Sequence, residues 1–238
     1  ETMFLFVDLK QSKTTFNDIS QIQLPAFSKV KRINFPKTLD NTGVLSYEGN
    51  FTGFLSDFVA FGTFSSKMGI LTTDISVVPQ RDGTISYRGK VNTTDFNLGE
   101  FFQYEKLGKV TFKGNVDGDY NKNDHTIYGN LIGYINNMEV NGYVYKNILL
   151  DGTLDNKMFD GMLSIDDPNL NFDFSGRVNF NPDVPVFNFN LDLKKALPVK
   201  LNLGKHFPES ELAFKMAANF KGDKLDNLEG SIVLKDGT

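Results

Sequence analysis

Along most of this chain apolar and polar residues alternate one by one. Phe172, Phe174, Gly176, Val178 and Phe180 take one parity, and Asp173, Ser175, Arg177 and Asn179 the other. Phe187, Phe189, Leu191 and Leu193 alternate with Asn188, Asn190, Asp192 and Lys194. Phe214, Met216, Ala218 and Phe220 alternate with Lys215, Ala217, Asn219 and Lys221. A period of two sends successive side chains to opposite faces of an extended strand, so each run predicts a strand with one apolar and one polar face. The pattern also predicts strands over 1–8, 43–53, 58–65, 70–78, 83–91, 108–118, 125–135, 138–146, 147–154 and 158–165. Turn formers separate them at Asp82-Gly83, 121–124, Asn136-Asn137, 155–157 and 166–169. Connections this short favour antiparallel hairpins over crossover helices. Short helices are expected at 24–30, at 96–102 behind an Asp95 cap, and at 194–197 before Pro198. With no linker or low-complexity stretch, residues 1–238 read as one continuous all-β domain of about fifteen strands.

A weak repeat lies over this alternation: apolar–x–Gly–x–apolar, with the glycine on the apolar parity. Copies are Tyr47-Glu48-Gly49-Asn50-Phe51, Tyr87-Arg88-Gly89-Lys90-Val91, Phe112-Lys113-Gly114-Asn115-Val116 and Ile127-Tyr128-Gly129-Asn130-Leu131. Others are Val140-Asn141-Gly142-Tyr143-Val144, Phe159-Asp160-Gly161-Met162-Leu163 and Phe174-Ser175-Gly176-Arg177-Val178. Glycine weakens a strand interior and marks a bend or a close approach. Gly49, Gly89, Gly114, Gly129, Gly142, Gly161 and Gly176 therefore read as sheet-bending positions. In line across neighbouring strands, they would let a long antiparallel sheet fold lengthwise into an open, taco-like trough with an apolar interior. A closed barrel or a two-sheet sandwich with glycine at its corners is the alternative. About fifteen strands exceed the eight or so of a small filled barrel.

Composition narrows the chemistry. Lys plus Arg is 25 against 29 for Asp plus Glu, a net charge of −4, which gives no basic footprint for nucleic acid. With no Cys there is no disulfide framework, cysteine-ligated metal or cysteine nucleophile. The two His, His125 and His206, fall in separate turns without triad spacing. Residues 117–128 open like a calcium loop, but Lys122 stands where the sixth-position glycine belongs and Tyr128 where the twelfth-position glutamate does. Asp155, Asp160, Asp166 and Asp167 read as turn formers and outward charges. No phosphate loop, nucleophile elbow or H-E-x-x-H is present. The expectation is a protein that is not an enzyme and uses no cofactor or metal. No run of 18 apolar residues exists, and the first residues lack a basic signal-peptide region. The chain starts without Met and stops just past an apolar strand, so it reads as a segment of a longer protein.

One stretch carries a resemblance. It reads Leu-Gly-Lys-Val-Thr-Phe-Lys-Gly-Asn-Val-Asp-Gly at 107–118, then Asn141-Gly142-Tyr143-Val144-Tyr145-Lys146-Asn147-Ile148 and Asp151-Gly152-Thr153-Leu154. Phe159-Asp160-Gly161 and Asp167-Pro168-Asn169-Leu170-Asn171-Phe172 follow. Upstream, Phe51-Thr52-Gly53-Phe54-Leu55-Ser56-Asp57-Phe58 and Asp95-Phe96-Asn97-Leu98-Gly99 belong to the same pattern. From about 43 to 234 the chain resembles the TamB branch of the AsmA-like proteins, in the form found in Bacteroidetes; residues 1–42 do not share in it. The resemblance implies a taco-like apolar trough crossing the periplasm of Gram-negative bacteria, anchored in the inner membrane by a helix outside this segment. It implies phospholipid movement to the outer membrane and outer-membrane protein assembly with a barrel partner of the TamA type, reached through regions outside this segment. It brings no catalytic residues.

The first functional expectation is therefore a bridge-like lipid-conducting segment supporting outer-membrane biogenesis, with phospholipid acyl chains as partner. At about 4.8 Å per strand its groove would run on the order of 70 Å. The expected lining includes Ile127, Leu131, Ile135, Phe159, Leu163, Phe172 and Phe174. It continues through Val178, Phe187, Phe189, Leu191, Phe214, Met216 and Phe220. A structural or chaperone scaffold that templates client strands on its edges is the second reading. A carbohydrate-active or adhesive β protein is the third, and would require two carboxylates facing each other in an open cleft.

Overall fold

A computed structural model describes residues 4–23, 32, 41–54, 56–80, 82–121, 123–124, 126–203, 210–223 and 225–235. The helix expected at 24–30, and His125 and His206, lie outside the described residues. The strands are β1 (Phe4–Thr14), β2 (Leu45–Phe54), β3 (Asp57–Ser66), β4 (Gly69–Pro79), β5 (Thr84–Thr94), β6 (Phe96–Asn97) and β7 (Leu107–Asn121). They continue with β8 (Thr126–Val140), β9 (Tyr143–Asp155), β10 (Met158–Asp167), β11 (Leu170–Asn179), β12 (Val186–Ala196), β13 (Leu212–Lys221) and β14 (Glu229–Lys235). Among the described residues there are also two short helices, α1 (Phe16–Gln21) and α2 (Leu98–Phe102), and a 3-10 turn at Leu225–Asn227.

All the strands form one antiparallel sheet. Each pairs with the next in sequence from β1 to β14, except that the two-residue β6 pairs beside β7. The sheet does not close: β1 and β14 are its edges. A closed barrel and a sandwich of two separate sheets are thereby excluded.

The structure moves several predicted boundaries, each for a local reason. β8 continues through Asn136 and Asn137, with a register shift against β7 at Asn136, and reverses at Asn141-Gly142, with φ of 51° and 73°. Two left-handed residues make the tight hairpin turn whose twist matches the strands, and Asn-Gly supplies them best. Gly142 is therefore a turn residue and not a sheet-bending one. The 194–197 segment is not a helix, because β12 continues to Ala196. There Lys194 reaches Asp173 at 2.6 Å, and Ala196 is buried opposite Leu170 and Leu212. Asn97, not Asp95, caps α2, its side chain accepting the Glu100 N–H at 3.0 Å. The unforeseen α1 starts at Thr15, whose hydroxyl accepts the Asp18 N–H at 3.1 Å.

Register brings the glycines together in short groups. Gly152, Gly161 and Gly176 are direct neighbours across β9, β10 and β11. Gly49 faces Gly62, Gly114 faces Gly133, and Gly118 faces Gly129. They do not form one line; the groups step between adjacent rows of the sheet. Backbones approach closely at each group. A Cβ on Gly161 would lie 2.3 Å from the Asp151 carbonyl oxygen and 2.4 Å from the Gly152 Cα. Aromatic rings cover the gaps. The Tyr47 ring lies against Gly49 and Gly62, that of Phe112 against Gly114 and Gly133, and that of Phe159 against Gly152. In each case the ring stands two residues before a glycine of the repeat, which is the physical content of the aromatic–x–Gly spacing.

Gly161→Ala is expected to lower stability by at least about 2 kcal/mol, because its methyl group meets backbone that cannot yield cheaply. Gly142→Asn lies in a turn, where a Cβ would meet no atom nearer than 3.7 Å. It should cost no more than about 0.5 kcal/mol, since asparagine tolerates the left-handed backbone there. Urea unfolding of both variants checks this; equal tolerance would contradict the close approach.

Candidate functional site

Paired residues in an antiparallel sheet share a face, so the register assigns every side chain to one side. One row runs Val7, Phe51, Ala60, Ile75, Gly89, Val116, Leu131, Gly152, Gly161, Gly176, Phe189, Ala218, Ile232. The row on one side of it runs Leu9, Gly49, Gly62, Thr73, Val91, Gly114, Gly133, Leu150, Leu163, Phe174, Leu191, Met216, Leu234. The row on the other side runs Leu5, Gly53, Phe58, Val77, Tyr87, Gly118, Gly129, Leu154, Phe159, Val178, Phe187, Phe220, Gly230. No charged residue occurs in any of the three. Every lining residue expected from the sequence falls on this face: Ile135, Phe172 and Phe214 lie one row further out, and Ile127 pairs with Tyr120 toward the opposite strand ends. The expected set began at Ile127 and so missed the face of β1 to β7, although Phe58, Ala60, Phe64, Ile75 and Val77 carry the same alternation.

This face holds most of the buried apolar side chains, among them Leu45, Tyr47, Ala60, Val110, Ile148 and Ile165. Among the described residues, the only large side chains buried below 2 % exposure are Met68 and Leu201, both in turns. Most residues of the three rows are half-buried by their neighbours. The chain exposes 15316 Å². A compact monomer of 26.7 kDa exposes about 10,700 Å². The excess fits a single-layer sheet. Phe159, Phe174 and Phe189 form a chain of ring contacts at 6.0 and 5.3 Å, and Phe187 stacks on Phe220 at 4.6 Å.

The few polar groups on the apolar face are held neutral or satisfied. Burial pushes the Tyr47 hydroxyl up, and burial aided by the charges of Asp119 and Asp117 does the same to Tyr87. Thr73 donates to the Ala60 carbonyl at 3.2 Å. Toward one end of the strands sits a buried carboxylate, Asp167, 3 % exposed. It accepts bonds from the Tyr143 hydroxyl, the Lys146 N–H at 3.1 Å and the Asn169 N–H at 2.8 Å. Burial first, and then the bond to Asp167, raise Tyr143 above the usual tyrosine range.

The opposite face is polar and cross-linked. Arg88 pairs with Asp117 at 2.9 Å, Arg177 with Asp160 at 2.6 Å, Lys215 with Asp192 at 3.0 Å and Lys221 with Glu229 at 2.8 Å, each directly across a strand boundary. Asp117 and Asp119 thus belong to a strand, with Asp119 accepting the Ser86 hydroxyl. This face is less uniform than the alternation predicts: Phe4, Phe6, Phe54, Val59 and Phe61 cluster on it near β1, and Ile132, Leu149 and Met162 near its middle. Among the described residues no cluster of three acidic or histidine side chains is placed to hold a metal ion, and no helix is long and apolar enough to cross a membrane.

Hydrogen bonds from Lys194 and Ser164 hold the Asp173 carboxyl below its usual 3.8. A carboxyl with a depressed folded pKa stabilises the fold above the ordinary range and loses that contribution as pH falls through and below it. Asp173→Asn should therefore cost up to about 1 kcal/mol at pH 7, as a surface pair does, and nothing once Asp173 is protonated in both states. Denaturation midpoints of the two chains should converge as pH falls below about 4; a gap that persists into strong acid would contradict the pairing. Compared with known proteins, the chain matches no family model, no curated protein and no solved structure.

Proposed function

We propose that this chain is a lipid-conducting segment, an open trough along which phospholipid acyl chains lie, serving outer-membrane biogenesis from the periplasm. The observation that carries the reading is the uninterrupted apolar face: three rows across thirteen strands of one sheet that does not close, without a charge. At about 4.8 Å per strand the rows extend on the order of 60 Å, long enough for a path and too long for a pocket. Apolar surface left open on this scale marks a binding or membrane site. Acyl chains ask for nothing more specific, since they offer no hydrogen bonds to match. The cross-linked polar face keeps the sheet wettable on its other side. The role of the lining is uniform, non-specific contact, and the chain performs no chemistry of its own. The compartment, the anchor and the TamA-type barrel partner rest on the sequence resemblance alone.

The edges favour a second reading. Among the described residues β1 and β14 each pair with one strand, and a scaffold for outer-membrane protein assembly would use such edges to hold client strands.

Photo-crosslinking separates the two. A benzophenone side chain at Phe174 should capture phospholipid, whereas one at Ser175, on the polar face, should not. Leu131→Asp and Phe174→Asp should leave the chain folded and block lipid passage in the full-length protein. Transport that survives several such charges, or crosslinks to protein at the edges and none to lipid at Phe174, would overturn the conduit.

A further inference from the structure

The ladder of ion pairs on the polar face leaves out one group of charges. On β5 and β7, Lys90 stands directly opposite Asn115, and Asn92 directly opposite Lys113. The four form a square, about 5 Å across the strands and about 7 Å along them, with the lysines on one diagonal. Among the described residues none of these four side chains has a hydrogen-bond or ion-pair partner. Lys90 also stands opposite Asp74 on β4 and makes no ion pair with it. Arg88, two residues away on β5, is by contrast held by Asp117 at 2.9 Å.

An apolar floor begins beside the square. Ile132 on β8 pairs with Asn115, and Asp151 and Met162 follow in the same row on β9 and β10. Leu149 lies in the next row, two residues from Asp151 on β9. Ile132, Leu149 and Met162 are 53, 56 and 58 % exposed where the alternation calls for polar residues. The square and the floor line one hollow of about 690 Å³. Sites for small ligands run from roughly 300 to 1,000 Å³. The hollow lies in mid-sheet, on strands that are paired on both sides, so neither end of the chain shapes it.

The charges select the ligand. Two ammonium groups and two side-chain amides can all donate to one anion. A phosphate monoester matches them, with close to two negative charges and three free oxygens. A carboxylate brings one charge and two oxygens. From β7 to Met162 on β10 the floor runs about 14 Å, which suits one hydrocarbon chain. Asp151 has no ion-pair partner among the described residues and stands between Ile132 and Met162. It repels an anion from that end and so sets the direction of the ligand.

We propose that this hollow binds an alkyl phosphate, a single hydrocarbon chain ending in a phosphate monoester. The phosphate lies on Lys90, Asn92, Lys113 and Asn115, and the chain lies over Ile132, Leu149 and Met162. The site is on the face opposite the trough and does not depend on what the trough binds.

Met162 is on this face and Met216 on the apolar one, so methyl-labelled methionine reports both faces separately by nuclear magnetic resonance. Octyl phosphate should move the Met162 signal and saturate it below about 5 mM. Lys90→Gln and Lys113→Gln should each weaken that response about tenfold, and leave the response of Met216 as it was. Both lysines are exposed, and an unchanged urea midpoint shows that the variants are folded. Octanoate should bind Met162's hollow about tenfold more weakly than octyl phosphate, and octanol should not saturate it. Asp151→Asn should bind octyl phosphate no more weakly than the unaltered chain. A Met162 signal that stays still, that responds equally in the lysine variants, or that saturates equally with octanol would overturn the proposal. Octanoate binding as tightly as octyl phosphate would overturn the assignment to a phosphate.

Discussion

Each strand of this sheet must hold its neighbours in one register, because a slip of one residue would turn its whole apolar set to the other side. Each strand meets only its neighbours along the sheet, so the correction must come from pairs across those boundaries. The polar face supplies the correction. Arg88–Asp117, Arg177–Asp160, Lys215–Asp192 and Lys221–Glu229 each join residues that the register places directly opposite. Each exposed pair contributes only up to about 1 kcal/mol. A shift by one would nevertheless remove the partner and carry the charge to the apolar side, which makes the pairs stronger as register marks than as stabilisers.

The glycine groups answer a second demand of the same architecture. Rings as large as Phe112 and Phe159 on every strand would crowd one another across a spacing of about 4.8 Å. Glycine two residues along, facing glycine on the next strand, leaves room for the ring to lie down over the backbone. Tyr47 over Gly49 and Gly62, and Phe112 over Gly114 and Gly133, show the arrangement directly. The glycines step between rows because each group needs its own covering ring, and the rings come from different rows.

Period two alone made the all-β class, the antiparallel order and the apolar parity of β8 to β13 legible in the sequence, since strands that meet only their sequence neighbours leave no long-range pairing to guess. What stayed hidden had tertiary causes. The Lys194–Asp173 pair and the buried Ala196 kept β12 extended where local composition favoured a helix. Asn136-Asn137 resembled a turn, but strands on both sides hold it, and the left-handed pair Asn141-Gly142 took the reversal. Ile132, Leu149 and Met162 break the polar parity in a way visible in the sequence, but only the register shows that they gather in one area. The Asp167 cluster brings together residues from two hairpins and has no linear signature.

Whether the apolar face is open to lipid or covered by protein can be read directly from nitroxide labels placed one at a time along β8, from residue 127 to residue 135, in a chain with no native cysteine. Accessibility to oxygen and to a water-soluble nickel chelate is measured with and without phospholipid. With the glycines left in place, an open trough predicts a period of two: with phospholipid, labels at Ile127, Leu131 and Ile135 meet oxygen and are shielded from nickel, whereas those at Tyr128, Asn130, Ile132 and Tyr134 stay open to nickel. Labels at the odd positions that meet neither reagent, with or without lipid, would show a core covered by protein and contradict it.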